Sequence, residues 1–226
     1  MTNHNDKLLV MAFLHGENVE NLVELAPKLL DQESGLDRFD VFAGTGRPAS
    51  FTMPEEMELR SEDTPERPYD GAIALGGNPE TVQEVLGKLR TDLDTVHAYR
   101  VEEKVIFDRT VEGFGSGSPI TFLLNMKWFP DAPESVIRRS WRVHEPLAAK
   151  VHVGSDRYVQ WWVNESLDEG APVVNAVVEM RYPTEKALVD GFFDSPRGAD
   201  EIVQDSAHFV AGGHPRVFVT DHRNAK

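Results

Sequence analysis

The chain contains no cysteine. That removes disulfide bridges, thiol nucleophiles and thiolate metal sites together. Basic residues are scarce: 23 Lys and Arg stand against 38 Asp and Glu, giving a formal net charge of −15 over 226 residues. Phosphate backbones and anionic membranes are bound through basic faces, so neither nucleic acid nor membrane is an expected partner. No stretch approaches the roughly 18 apolar residues of a membrane-spanning helix. The opening MTNHNDK has no long apolar run behind a basic start and does not read as a signal peptide, so a cytoplasmic protein is expected. The phosphate-cradling patterns GxGxxG and GxxxxGK[ST] are missing, as is the GxSxG nucleophile elbow. No HxH or HxxxH pair with a nearby carboxylate supports a metal site. Neither cofactor nor metal is therefore expected.

What is present is enough apolar residue, 40 per cent, to build a sizeable core. Apolar runs and turn residues predict strands at 8–14, 39–43, 69–75 and 96–107, with helices at 19–30 and from Pro79 to about Leu89. Asn78-Pro79 is a cap followed by proline at the first helical position. Between the second and third strands, 44–68 is rich in Gly, Pro, Glu and Ser; a loop that long is functional or poorly ordered. The stretch RTVEGFGSGSP, 109–119, has connector composition. Beyond it the same order returns: strand 120–128, helix 131–151, strands 158–163 and 173–180, helix 185–193 capped by Thr184, a helical piece from Ser195-Pro196 to about Val210, and strand 215–220. Each half reads β-α-β-β-α-β, the ferredoxin-like order. The expectation is an α+β fold, two ferredoxin-like repeats at 1–110 and 120–226 joined by a linker at 111–119, and arising by tandem duplication. Antiparallel sheets with helices on one face need cover on the other, and packing the two sheet to sheet as an α/β-barrel supplies it.

The second half holds the most chemically capable stretch. Asp131 stands where an N-cap belongs, with Glu134 three residues on, a capping-box-like start. Val136, Ile137, Trp141, His144, Leu147, Ala148 and Val151 then recur at helical spacing, so His144 faces inward with the apolar stripe. Pro146 removes a helical N–H and predicts a bend near residue 142. An imidazole in a mostly apolar cavity serves as general base or acid near neutral pH. The alternative is a core histidine bonded to a backbone carbonyl. On the following strand Tyr158, Gln160 and Trp162 share one face, and Val159, Trp161 and Val163 the other; Trp161 is expected to line the barrel. Asp205 and His208, three apart, neighbour each other on a helix. His152, eight residues after His144, shares its face if the helix continues. His4 and His222 are assigned to the surface, His15 and His97 to element edges, and His214 is left without a role.

The stretch SVIRRSWRVHEPLA, 135–148, resembles the signature of EthD-type proteins: Trp141, Arg142, then His144-Glu145-Pro146-Leu147. The later Asp205-Ser206-Ala207-His208-Phe209 is similar to that family's terminal Asp-x-x-x-Phe segment. The likeness covers roughly 120–222 and is poor over 8–108, where no Trp-Arg pair occurs. Aligning Pro27 with Pro146 puts Leu25 where the second half has His144, so the first repeat reads as a degenerate structural partner. The resemblance implies the dimeric α/β-barrel superfamily, with the barrel closed inside one chain and a homodimer compatible with it. It also implies a cofactor-independent enzyme, of lyase, dehydratase, cyclase or isomerase type, acting on a small apolar, aromatic or polyketide-like carbonyl compound. His144, His208 and Tyr158 are the catalytic candidates; Trp161, Trp141, His152, Asp205 and Phe209 are the substrate-binding ones. The alternatives are a cofactor-free monooxygenase of a phenolic substrate and a non-catalytic ligand-binding protein of a catabolic pathway.

Overall fold

Strand alternation puts every second side chain on each face of a sheet, and here both faces are covered. A computed structural model describes residues 7–16, 19–52, 69–110, 119–211 and 216–226, with the side chains of Arg216 and Val217 left aside. The first half runs β1 (Leu8–His15), a 3-10 turn (Val19–Asn21), α1 (Leu22–Gln32), β2 (Leu36–Gly44), β3 (Gly71–Gly77), α2 (Pro79–Asp92) and β4 (Thr95–Asp108). The second runs β5 (Ile120–Met126), α3 (Glu134–Val151), β6 (Arg157–Ser166), β7 (Ala176–Tyr182), α4 (Glu185–Gly191), α5 (Pro196–Ser206) and β8 (Arg216–His222). The expected linker at 111–119 lies, Pro119 apart, outside the described residues.

The strands close a barrel in the order β1-β3-β2-β8-β5-β7-β6-β4, every neighbouring pair antiparallel. Within each half the strands follow one pattern, β4-β1-β3-β2 and β8-β5-β7-β6. Two seams join the halves. One is short, from Val41↔His222 to Gly44↔Val219; the other is long, from Tyr99↔Ser166 to Asp108↔Arg157. Closure gives each of the eight strands a neighbour on both sides. In β1, Val10, Ala12 and Leu14 meet α1 and α2, while Met11 and Phe13 turn into the barrel. The interior is packed by Phe42, Tyr99, Leu123, Val159, Trp161 and Val177. The helices of the second half cover the outer face through Phe122, Tyr158, Trp162, Met180 and Tyr182.

One end of the interior is polar. Glu179, 0% exposed, accepts from Trp161 Nε1 and Arg157 Nε, both at 3.1 Å, and from Arg223. Arg157 also pairs with Asp108 and lies 3.6 Å from Glu103. Arg38, bonded to Asp40 at 2.6 Å and Glu103 at 2.8 Å, sits 5.0 Å over the Trp161 ring. Buried charges of both signs, from β2 and β4 on one side and from β6, β7 and the C-terminal segment on the other, thus interlock the halves.

Two expectations change. α3 begins at Glu134 with Pro133 at the cap position and no side-chain cap bond, so Asp131 is not its N-cap. A turn intervenes, with Ala132 N donating to the Phe129 carbonyl. The C-terminal end is as expected: the helix continues past Pro146 to Val151. Of the 44–68 excursion, Gly44 ends β2, and Phe51 is buried edge-on to Phe192 and Phe218, at 5.1 and 5.7 Å; 53–68 lie outside the described residues. Among the described residues no helix is long and apolar enough to cross a membrane.

Candidate functional site

α3 lays its apolar stripe on the outer face of the second half. Ile137, Trp141, His144, Ala148 and Val151 are all buried there, as the spacing predicts. α5 runs beside it. Ser195 caps α5 by accepting from Gly198 N at 3.0 Å, with Pro196 at the first position, so the chain turns sharply into the helix. The last turn of α5 then delivers Asp205, and Phe209 follows within one further turn.

These two residues meet His144. Its Nδ1 stands 2.7 Å from Asp205 Oδ2, and the Phe209 ring lies edge-on to the imidazole at 5.5 Å. The histidine is 8% exposed. Burial pushes its pKa below the ordinary histidine value, and Asp205, with a smaller contribution from Glu145, pulls it part of the way back. An ionised carboxylate only accepts hydrogen bonds, so Nδ1 carries the proton and donates, and the Nε2 lone pair is free in the neutral ring. A histidine held in one tautomer by a carboxylate is an oriented acid/base group.

Beside this pair a groove of ≈630 Å³ opens between α3 and the end of α5. Asp205, His208 and Phe209 form one wall, and Ser135, Arg139 and Ser140 lie on the other. Asp205 reaches the groove with 31% of its side chain exposed, and His144 stands behind it at 10%. The solvent-facing member of the pair is therefore the carboxylate. The imidazole occupies the layer between helix and sheet rather than the hollow between the two sheets.

The other sequence candidates fall elsewhere. Trp161 points into the barrel and bonds to Glu179, on the opposite side of β6 from His144. Tyr158 shares the outer face with Trp162, as alternation predicts, but lies buried beneath α3 with its hydroxyl pushed up to about 12 by burial. With its carboxamide turned to suit its neighbours, Gln160 accepts from Trp141 Nε1 at 3.0 Å and Tyr158 Oη at 3.2 Å, and donates to Glu145 at 3.2 Å. That network roofs a polar pocket of ≈260 Å³ beside Lys104, Arg138 and Trp162. His152 closes the C-terminal end of α3, its Nδ1–H donating to the Phe192 carbonyl at 2.5 Å. Leu25 is 37% exposed while its neighbour Ala26 is buried, so aligning the two prolines does not match the inward faces of α1 and α3. His4 and His214 lie outside the described residues. Among the described residues no group of three or more His, Asp or Glu side chains is placed to hold a metal ion.

Sequence reasoning passed over Trp128, which packs edge-on to Trp141 at 5.1 Å and tilted against Trp162 at 5.5 Å and Phe209 at 6.0 Å. Its signal was there: an aromatic pair just beyond an apolar strand and just before a proline. Glu179 was also missed, because one acid within an apolar run carries no periodic mark.

No protein-family profile matches the sequence, and no curated protein does. Solved structures do match. An anthrone oxidase-like protein superposes with a TM-score of 0.62 at 11% identity, over 98% of this chain and 94% of its own. A candidate monooxygenase from Fusobacterium nucleatum gives 0.57 at 8% identity, over 97% and 94%. A chlorite dismutase variant from Candidatus Nitrospira defluvii gives 0.52 at 12% identity, over 97% and 92%. At such identities the likeness establishes architecture: this chain takes the dimeric α/β-barrel fold of ferredoxin-like halves, closed here within one polypeptide.

Proposed function

We propose that the protein is an enzyme that works without a bound cofactor. In this reading the Asp205–His144 pair takes a proton from a small apolar carbonyl or phenolic substrate held in the groove between α3 and α5. The carrying observation is the 2.7 Å contact between His144 Nδ1 and Asp205 Oδ2 at the groove wall. It joins the two stretches that resemble EthD-type proteins, 61 positions apart in sequence. That convergence supports placing the second half with that family, and the matching strand order supports descent of the halves from one unit. Asp205 touches the substrate and accepts its proton through the free oxygen. His144 acts through the other oxygen as a positioning residue. Phe209 supplies an aromatic wall, and the Ser135 and Ser140 hydroxyls suit the oxygen that becomes negative as the proton leaves.

After deprotonation two outcomes divide the chemistry. Rearrangement or elimination gives a lyase, cyclase or isomerase. Reaction of the anion with dioxygen gives a monooxygenase, which the anthrone oxidase-like and monooxygenase-type neighbours favour. Anthrone, with an acidic C–H beside aromatic rings, tests both. Under argon in D2O, the protein should accelerate C–H to C–D exchange, read by NMR. General acid–base catalysis is worth roughly 10²–10⁴-fold, so Asp205→Asn should lose at least about a hundredfold of the acceleration. His144→Gln should lose less and change the pH profile. Oxygen uptake on admitting air assigns the monooxygenase branch. Binding without accelerated exchange would leave only the accessory role, and an unimpaired Asp205→Asn protein would end the assignment.

A further inference from the structure

The proton-transfer reading gives a task to Ser135 and Ser140 on one wall of the groove and to Asp205 on the other, and none to Arg139. Ser135 and Arg139 are four residues apart on α3; Val136, Ser140 and Val143 recur at spacings of four and three. All five therefore share one side of the helix, and all line the groove. This wall is open to a ligand. Arg139 is exposed, and Val136 and Val143 keep 51% and 64% of their surface in solvent.

The guanidinium has no counterion. In a chain with 38 acidic side chains against 23 basic ones, carboxylates are plentiful. Arg138, the preceding residue, contacts two of them, Glu134 at 2.7 Å and Glu102 at 3.4 Å. Arg139 pairs with none among the described residues. Asp205, the carboxylate on the opposite wall, repels an anionic group placed beside it, whereas Arg139 attracts one. A ligand charged at one end is thus held with that end on α3 and its uncharged end toward Asp205, the orientation that proton removal requires. One guanidinium balances one negative charge, and its planar fork matches a carboxylate. A dianionic group would bring a second charge that nothing on this wall offsets, in a chain of net charge −15.

We propose that the molecule taken into this groove carries a carboxylate, which pairs with Arg139 while the apolar body lies over Val136 and Val143. Arg139 is then the residue that sets specificity. The inference rests on the groove being the reactive site, and it narrows the substrate of that site to a small apolar acid.

Naphthoate and naphthamide test it. They share one shape, differ in charge and have no acidic C–H, so they report binding without reaction. Each is titrated into protein with ¹³C-labelled valine methyls, the Val143 signals being assigned through Val143→Ala. Naphthoate should move those signals and bind about fivefold tighter than the amide, the upper range for an exposed ion pair. Arg139→Gln, a change between two good helix formers at an exposed position, should abolish the preference and leave amide affinity as it was. Arg142→Gln removes the same charge from α3 but on the side that lines the pocket beside Lys104, so it should keep the preference. Equal affinity for the two probes, a Val143 signal that naphthoate leaves in place, or an Arg142→Gln loss as large as that of Arg139→Gln would overturn the proposal. The proton-transfer reading fails separately. Carboxylate preference without accelerated C–H exchange would uphold Arg139 as the anchor and end the catalytic assignment, and exchange without preference would do the reverse.

Discussion

The sharpest quantitative consequence concerns His152. It is wholly buried at the end of α3, packed against Phe192 at 5.3 Å and Phe193 at 5.4 Å, with Nδ1–H donated to the Phe192 carbonyl. Burial pushes its pKa down from 6.5 to about 4. The folded protein therefore holds the ring neutral at pH values where the unfolded chain protonates it. Between pH 6.5 and 4 the unfolded state binds the extra proton, so stability falls as pH falls through that window and this contribution is intact above it. The gap from 6.5 to about 4, at roughly 1.36 kcal/mol per pH unit, gives about 3 kcal/mol for the whole window and about 2 kcal/mol by pH 5. His152→Asn keeps a side-chain N–H near the Phe192 carbonyl and cannot titrate. Urea unfolding of both proteins at pH 7.5 and 5.0 isolates the effect, because all other ionisable groups are shared. The parent should lose about 2 kcal/mol more than the variant. Equal losses would mean that His152 is solvated or already charged in the fold, and that it does not belong to the core.

Three further outcomes concern the packing and the ionic contacts. A Cβ on Gly154 would overlap the Ala187 carbonyl oxygen where the α3–β6 turn presses on α4, so Gly154→Ala should cost about 1–3 kcal/mol of unfolding free energy in a denaturant titration. Glu179→Gln leaves Arg157 and Arg223 facing a buried neutral group; about 3 kcal/mol is expected, or a Tm roughly 6–12 °C lower by calorimetry, and an unchanged Tm would show that the ionic end of the barrel is not tightly coupled. Asp205→Asn removes the chief group that raises the His144 pKa, so an NMR titration of the imidazole should find it lower still than in the parent.

Much of the architecture was legible because burial on two faces imposes period. The apolar stripe of α3 and the alternation in β6 each put the right residues on the right side, including Trp161 inside the barrel and Tyr158 and Trp162 outside. Caps with a local mechanism were legible as well: Asn78 accepts from Glu80 N at 2.9 Å and Thr184 from Ala187 N at 3.1 Å. Asp131 misled because a capping pattern is only a local preference, and the chain spends residues 129–133 on a turn before the helix begins. The partner of His144 was beyond any periodic argument. Asp205 had been paired with His208 by helical spacing, yet its contact comes from a helix packed alongside, and sequence spacing says nothing about which two helices touch.

The proposed site lies outside the barrel for a physical reason. The interior is occupied: Met11, Phe13, Phe42, Tyr99 and Trp161 fill it, and the arginine–carboxylate cluster around Glu179 closes one end. A packed interior with interlocked charges holds the two halves together. The layer between sheet and helices is where the halves differ. The inward residues of α1 and α2 are entirely apolar, whereas α3 brings His144 to the same layer. The second half also has a helix without counterpart in the first, α5, inserted between α4 and β8. That added helix carries Asp205 and leads to Phe209. α3 thus supplies a buried imidazole, and the added element supplies the carboxylate that contacts it and faces the groove. On this argument the site arises from the departure from symmetry, and shortening α5 by its last turn should remove the groove while leaving the eight-stranded barrel closed.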